Sequence, residues 1–304
     1  MENKFSFGFQ PYDDLPFSEL YKYLGDSVMI DICTIFVCIF GLVANGIILR
    51  LLGFCTKRNP FTTYILNLTV SDFGFLLFLL HINIFVRIRN VLMPSYDLYT
   101  DILLNLLLLT HSSCQFLLTF ISIDRCVAVF FPDWYCCHRS PNLPTALCAF
   151  IWVLLFLLCG IQLILFFTGA DEYFDLTVYQ YFVIACICLP LMTIATLTLF
   201  IKVSFKLQRH QRGKLLIVIL LILLFSLLFS FLTNALSIAI YFNVVFDHLL
   251  DYMFLCGSLK SSINLLFFLL VGRWKVHRFQ ENAKVILQRV FKEEEPQHTI
   301  QTEL

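Results

Sequence analysis

Seven stretches of this chain are each apolar for long enough to cross a lipid bilayer, which takes about 20 consecutive residues, and little is left over to form anything else. They lie near 28–53, 61–86, 99–131, 144–168, 177–203, 214–242 and 251–271. In hydrocarbon every backbone N–H and C=O must be satisfied within its own segment, so each stretch is expected to be a helix and the set a helical bundle. Composition agrees: of 304 residues, 59% are hydrophobic and only 14% charged, against an apolar share of about 45–50% in soluble domains. The expected architecture is an all-α membrane protein, a seven-transmembrane helix bundle over 28–271.

Seven spans put the two ends on opposite sides of the membrane, and the basic residues set which is which. One set of loops holds Lys57, Arg58, Arg139, Lys202, Lys206, Arg209, Arg212, Lys214 and the tail from Arg273 to Lys292. The other holds only Lys4, Lys22, Arg87 and Arg89. Positive charge stays in the cytoplasm, so the reading is a multi-pass plasma-membrane protein with an extracellular N-terminus and a cytoplasmic C-terminus. Residues 1–27 lack the basic start and short apolar core of a signal peptide and read as an extracellular tail. Over 272–292, Val276, Phe279, Ala283, Ile286 and Val290 alternate with Lys275, Arg278, Lys284 and Arg289 at helical spacing. That pattern predicts a short amphipathic eighth helix on the inner leaflet, followed by a disordered tail over 293–304. Acids gather on the outer side, among them Asp13, Asp14, Asp97, Asp171, Glu172, Asp175 and Asp247. They would steer a cationic ligand inward, though acids there also simply keep loops solvated.

Two charged features interrupt the apolar stretches. Asp124-Arg125-Cys126 stands where the third stretch runs out, and an acid beside an arginine at a membrane edge needs a reason. Lys260 sits near the middle of the seventh, one turn before Asn264. A lysine at that depth costs about 2.5–3.5 kcal/mol on insertion scales, so a partner is required. Asp72 in the second stretch is the acid at comparable depth, and Asn45, Ser113, Cys114 and Asn264 are candidates to complete a buried polar core around the two. The twelve cysteines have no regular spacing, and no metal site, cofactor, nucleophile motif, phosphate loop or nucleic-acid-binding patch is expected.

Gly41-Leu42-Val43-Ala44-Asn45-Gly46, Asn67-Leu68-Thr69-Val70-Ser71-Asp72, Asp124-Arg125-Cys126 and Trp152 together resemble the rhodopsin-like (class A) G-protein-coupled receptors. More narrowly, the chain resembles the Mas-related subfamily in Arg58-Asn59-Pro60-Phe61-Thr62, in Phe131-Pro132-Asp133-Trp134-Tyr135-Cys136-Cys137-His138-Arg139 and in Lys214-Leu215-Leu216-Ile217-Val218-Ile219. Ser261-Ser262 before Asn264 adds to this, and the likeness covers about 28–292. It implies a cell-surface receptor that couples an extracellular ligand, a cationic peptide or amine, or else a high basal activity, to a heterotrimeric G protein. Arg125 would be the switch, held by Asp124 at rest. The resemblance suggests His111, Gln162, Asp175, Tyr179, Asn234 and Tyr241 as ligand contacts. It also implies that the Lys260 ammonium takes the place beside Asp72 where many relatives bind a sodium ion.

The departures from that family are as informative. Thr100 stands where most of the superfamily has the cysteine of its outer disulfide, Phe166 at the matching position of the alternative bridge, and Gln162 where relatives carry an acid. Leu232 replaces the bending proline of the sixth helix and Ser230 its tryptophan, while Asn264-Leu265-Leu266-Phe267-Phe268 replaces Asn-Pro-x-x-Tyr in the seventh. Without prolines both helices are expected to be straighter. Two alternatives stay open: a receptor-fold decoy or partner subunit with little G-protein coupling, and a retinal-binding, opsin-like protein using Lys260. The second would need the lysine six residues before the asparagine, whereas here the gap is four.

Overall fold

The computed structural model describes residues 17–54, 60–92, 98–137, 140, 142–169, 172–206, 213–242 and 248–274. All secondary structure among them is helical: α1 (Phe17–Phe54), α2 (Pro60–Leu92), α3 (Leu98–Phe130), the short α4 (Pro132–Cys137), α5 (Leu143–Thr168), α6 (Glu172–Val183), α7 (Leu189–Lys206), α8 (Gly213–Tyr241) and α9 (Leu249–Trp274). Among the described residues six helices are long and apolar enough to cross a membrane, with α6 and α7 forming one of them. α9 is the seventh long rod.

α3 is the central mast. From Leu107 to Gln115 every residue is buried, so neighbours surround it on all faces. α5, by contrast, turns Phe150, Phe156, Leu157 and Ile164 outward. Large apolar side chains facing out are what a bundle presents to lipid tails. α1, α2 and α9 approach one another closely through missing side chains. A Cβ at Gly41 would collide with Ser262 Oγ and lie 2.7 Å from Leu76 Cδ1, and one at Gly257 would lie 2.7 Å from Phe75 Cζ. Small residues of this kind let helix backbones pack tightly where no hydrophobic effect drives them together. α5 ends at Gly169, whose φ of 66° is the left-handed conformation that closes helices, its N–H donating to Phe166 O at 3.1 Å.

α6 and α7 are joined by a π turn over Ile184–Cys188, where the Leu189 N–H donates to Ile184 O. Pro190, next in the chain, has no N–H to give and its ring crowds the preceding turn, so one wider turn absorbs the mismatch. α8 and α9, which lack such a proline, run uninterrupted. α8 nevertheless carries a polar stripe whose side chains bond back to the backbone: Thr233 Oγ1 to Phe229 O at 2.7 Å, Asn234 Nδ2 to Ser230 O at 2.8 Å and Ser237 Oγ to Thr233 O at 2.8 Å. Such back-bonds compete with the helical ladder and soften it.

One boundary differs from the sequence expectation. α1 begins at Phe17, inside the stretch assigned to the N-terminal tail, because helix propensity does not stop where the bilayer does. The predicted amphipathic helix and C-terminal tail fall, from residue 275 onward, outside the described residues, as does Arg212. The cysteines among the described residues are free thiols.

Candidate functional site

Polar side chains line α3 from its foot upward and fall into three layers. At the foot, Arg125 Nη2 lies 2.7 Å from Asp124 Oδ2, with both side chains buried. α4 folds back beneath them, its entry fixed by the Phe131 N–H to Val127 O and the Tyr135 N–H to Phe131 O, both at 2.9 Å. This turn brings the Tyr135 hydroxyl onto the pair. It donates to Asp124 Oδ2 at 3.0 Å and accepts from Arg125 Nη2 at 3.1 Å. Arg125, Asp124 and Tyr135 thus close a ring of three charge-assisted hydrogen bonds. In the sequence Tyr135 stands only within the motif of residues 131–139, and an aromatic hydroxyl just inside a proline-started turn is the signal that marks it. On the far side of α3, the Cys126 thiol donates to Ala195 O at 2.9 Å. Lys202 Nζ caps the end of α3 through Val129 O at 2.8 Å while lying 3.9 Å above the Phe130 ring.

The middle layer spans α1, α2, α3 and α9. Asn45 Nδ2 donates to Gly41 O at 2.9 Å and to Ser261 O at 3.0 Å, tying α1 to α9. Ser113 donates to Ser71 Oγ at 2.7 Å, and the Cys114 thiol to Asp72 Oδ1 at 3.2 Å. Lys260 is buried at 2% exposure and Asp72 at 1%. Of the predicted polar core, Cys114 and Asp72 are in direct contact, Asn45 reaches the backbone of Ser261, next to the buried Lys260, and the Asn264 side chain lies outside the described residues. Trp152 anchors α5 to α2 through Nε1 to Asn67 Oδ1 at 3.1 Å.

In the third layer His111 is enclosed by the rings of Phe75 at 5.9 Å and Tyr181 at 6.0 Å, with Gln115 Nε2 3.5 Å from its Nε2. Gln162 is buried, but its amide is already engaged. It donates to Gln180 Oε1 at 3.1 Å and lies 3.5 Å from Thr177 Oγ1, and Gln180 in turn donates to Ser112 Oγ at 2.6 Å. A chain of neutral amides thus joins α5, α6 and α3. Asn234 is buried on α8 with Oδ1 unpartnered among the described residues.

Tyr179, expected among the ligand contacts, is 63% exposed, on the same outward stripe as Val183, Ile187 and Ile194. Tyr181, two residues on, flanks His111 with ring centroids 6.0 Å apart. The side chains of Asp175 and Tyr241 lie outside the described residues.

A buried arginine–aspartate pair at the foot of a central helix, six apolar spans and a seventh long helix beside them are the anatomy of a seven-helix receptor. Residues 35–205 match the family described as Serpentine type 7TM GPCR chemoreceptor Srx. The chain is 31% identical over 272 residues to Mas-related G-protein coupled receptor member D of Macaca fascicularis, covering 85% of this chain and 83% of that one. It is likewise 31% identical over 264 residues to Proto-oncogene Mas of Rattus norvegicus, covering 84% and 81%. Against Mas-related G-protein coupled receptor member A1 of Mus musculus, identity reaches 40% over 144 residues, 44% of each chain. The chain belongs to the Mas-related G-protein-coupled receptors.

Proposed function

We propose that the protein is a plasma-membrane receptor, N-terminus outside, that passes an extracellular signal or its own basal activity to a heterotrimeric G protein through Arg125. The observation that carries this is the closed ring of Arg125, Asp124 and Tyr135. A guanidinium held by exchangeable hydrogen bonds at the helix foot can be released and offered to a partner, whereas a merely structural cation needs no such second holder. The test is nucleotide exchange on purified G proteins of each class, in membranes carrying matched amounts of native receptor and Arg125→Ala. Signal in the native chain that the substitution abolishes supports the reading. No exchange from either form with any G protein sinks it, and favours the decoy reading, for which the uninterrupted α8 and α9 speak.

Within that receptor, Lys260 and Asp72 act as a buried pair in which a tethered ammonium replaces a mobile cation. Both side chains are buried, Lys260 at 2% and Asp72 at 1% exposure, where an unpaired charge is costly. A sodium-dependent shift in thermal stability of the native chain that vanishes on Asp72→Asn would overturn it.

A further inference from the structure

The short helix α4 is occupied on one side and uncovered on the other. On the inner side the Tyr135 hydroxyl sits on the Asp124–Arg125 pair. On the outer side Phe131 is 64% exposed and Trp134 50%, and Phe130, the last residue of α3, is 40% exposed. Phe131 and Trp134 are three residues apart and so share a side of the turn, while the exposed Asp133 falls toward the opposite one.

The depth of this aromatic face says what covers it. α3 is apolar as a membrane span over Leu98–Phe130, so α4 starts where hydrocarbon gives way to headgroups. Tryptophan and its aromatic kin concentrate at that level of a bilayer, where an apolar ring with a polar edge satisfies both sides of the boundary. Charge at the same level agrees. Lys202 of α7 places its ammonium on Val129 O at 2.8 Å and over the Phe130 ring at 3.9 Å, beside the start of α4. The loops joining the spans on this side hold Lys57, Arg58, Arg139, Lys206, Arg209 and Arg212 against one acid, Asp133. A basic surface of this kind is drawn to the anionic lipids of the cytoplasmic leaflet.

We propose that α4 is seated in the inner leaflet through Phe131 and Trp134, and that anionic lipid, by holding it there, keeps Tyr135 on the Asp124–Arg125 pair. The inference rests on the receptor reading above, which places this end of α3 in the cytoplasm. The two sides of α4 are coupled because the helix is only six residues long and Trp134 is followed directly by Tyr135. Lifting the rings out of the leaflet turns the whole helix and carries the phenol off Asp124. Lipid composition thereby biases the same resting-to-active equilibrium that the ring of hydrogen bonds controls.

The experiment uses full-length receptor in nanodiscs of phosphatidylcholine, with or without phosphatidylserine. The difference in emission between the native chain and Trp134→Phe isolates Trp134 from the other tryptophans. Lipids brominated at the headgroup end of the acyl chains quench that difference, and iodide in the buffer does not. Quenching by iodide with none by brominated lipid puts the face in water and overturns the proposal. Shielding from iodide that arises only when G protein is added gives the face to that protein, and overturns it too. The second readout is basal nucleotide exchange, which is lower in the phosphatidylserine discs for the native receptor. Trp134→Ser leaves Tyr135 in place and raises exchange in those discs about three- to tenfold, as uncovering half of a large aromatic side chain does. It also abolishes the difference between the two lipids, which Trp134→Phe retains. A lipid dependence that survives Trp134→Ser overturns the coupling to the lock. Quenching requires no G protein, so failure of the lipid seat is distinct from failure of the receptor reading.

Discussion

Replacing Tyr135 with Phe removes one oxygen and leaves the α4 turn intact, since that turn is built from backbone bonds at Phe131 and Tyr135. The oxygen makes two hydrogen bonds, at 3.0 Å to Asp124 and 3.1 Å to Arg125, both charge-assisted. Bonds of that kind are worth about 1.5–3 kcal/mol each when nothing replaces them. The Arg125 and Asp124 side chains are 9% and 8% exposed, so returning water recovers part of the loss. A net cost of about 1–2 kcal/mol remains. If the ring exists only in the resting arrangement, the whole cost falls on the resting-to-active equilibrium. The active population then rises about 5- to 30-fold. The assay is unstimulated nucleotide exchange on the coupled G protein at matched surface receptor, native against Tyr135→Phe, Asp124→Asn and the double variant. The double variant should exceed neither single by much, because all three groups act as one ring. Basal exchange in Tyr135→Phe at or below the native rate, with Asp124→Asn raised, would refute the reasoning by showing that the phenol does not hold the resting state.

Three further outcomes are expected. Lys202→Met keeps the stem but loses both the Val129 bond and the contact with Phe130. It should cost about 1–2 kcal/mol of stability, seen as a lower melting temperature that Lys202→Arg largely restores. Gly41→Ala drives a Cβ into Ser262 and Leu76, an overpacking worth about 1–3 kcal/mol; Gly53→Ala, with open space around it, is the control and should be neutral in the same melt. Thr233→Val removes the back-bond to Phe229 O, so amide exchange across Phe229–Ser237 should slow, and unchanged exchange would mean the back-bonds do not soften α8.

What could be read beforehand follows from how a bilayer constrains a chain. Each span needs about 20 apolar residues, a signal far above background, so the helices stood where expected and only their ends moved, as at Phe17. Asp124-Arg125 was legible because charge at the end of an apolar run is costly without a purpose. Which way a side chain faces was much harder to read. In a soluble helix the polar face marks the outside, but here lipid and core are both apolar, so Tyr179 and Tyr181 look equivalent in the sequence although one is turned to lipid and the other to His111. The π turn at Ile184–Cys188 shifts the helical phase further, and its position depends on how the Pro190 region packs. Long-range pairings were also hidden: nothing in the sequence couples Gln162 to Gln180 and Ser112, or Tyr135 to Asp124, until a turn brings them together.

The packing also decides which parts can move. α1, α2 and α9 meet at Gly41, Gly257 and the two bonds of Asn45, contacts that leave no room for sliding. Lys260 is therefore carried on a fixed element, and its charge is a stationary reference within the bundle. α8 is different. It has no proline hinge, yet its ladder is weakened at three successive back-bonds, and two of its buried polar atoms lack partners among the described residues. A helix held by soft hydrogen bonds and unsatisfied groups has low local stability, which is the usual property of elements that move in switching. The lost proline thus need not mean a lost switch. The compliance sits in the hydrogen-bond ladder around Leu232, the same level of the helix, and lets α8 shift against α3, whose foot carries Arg125 paired to Asp124.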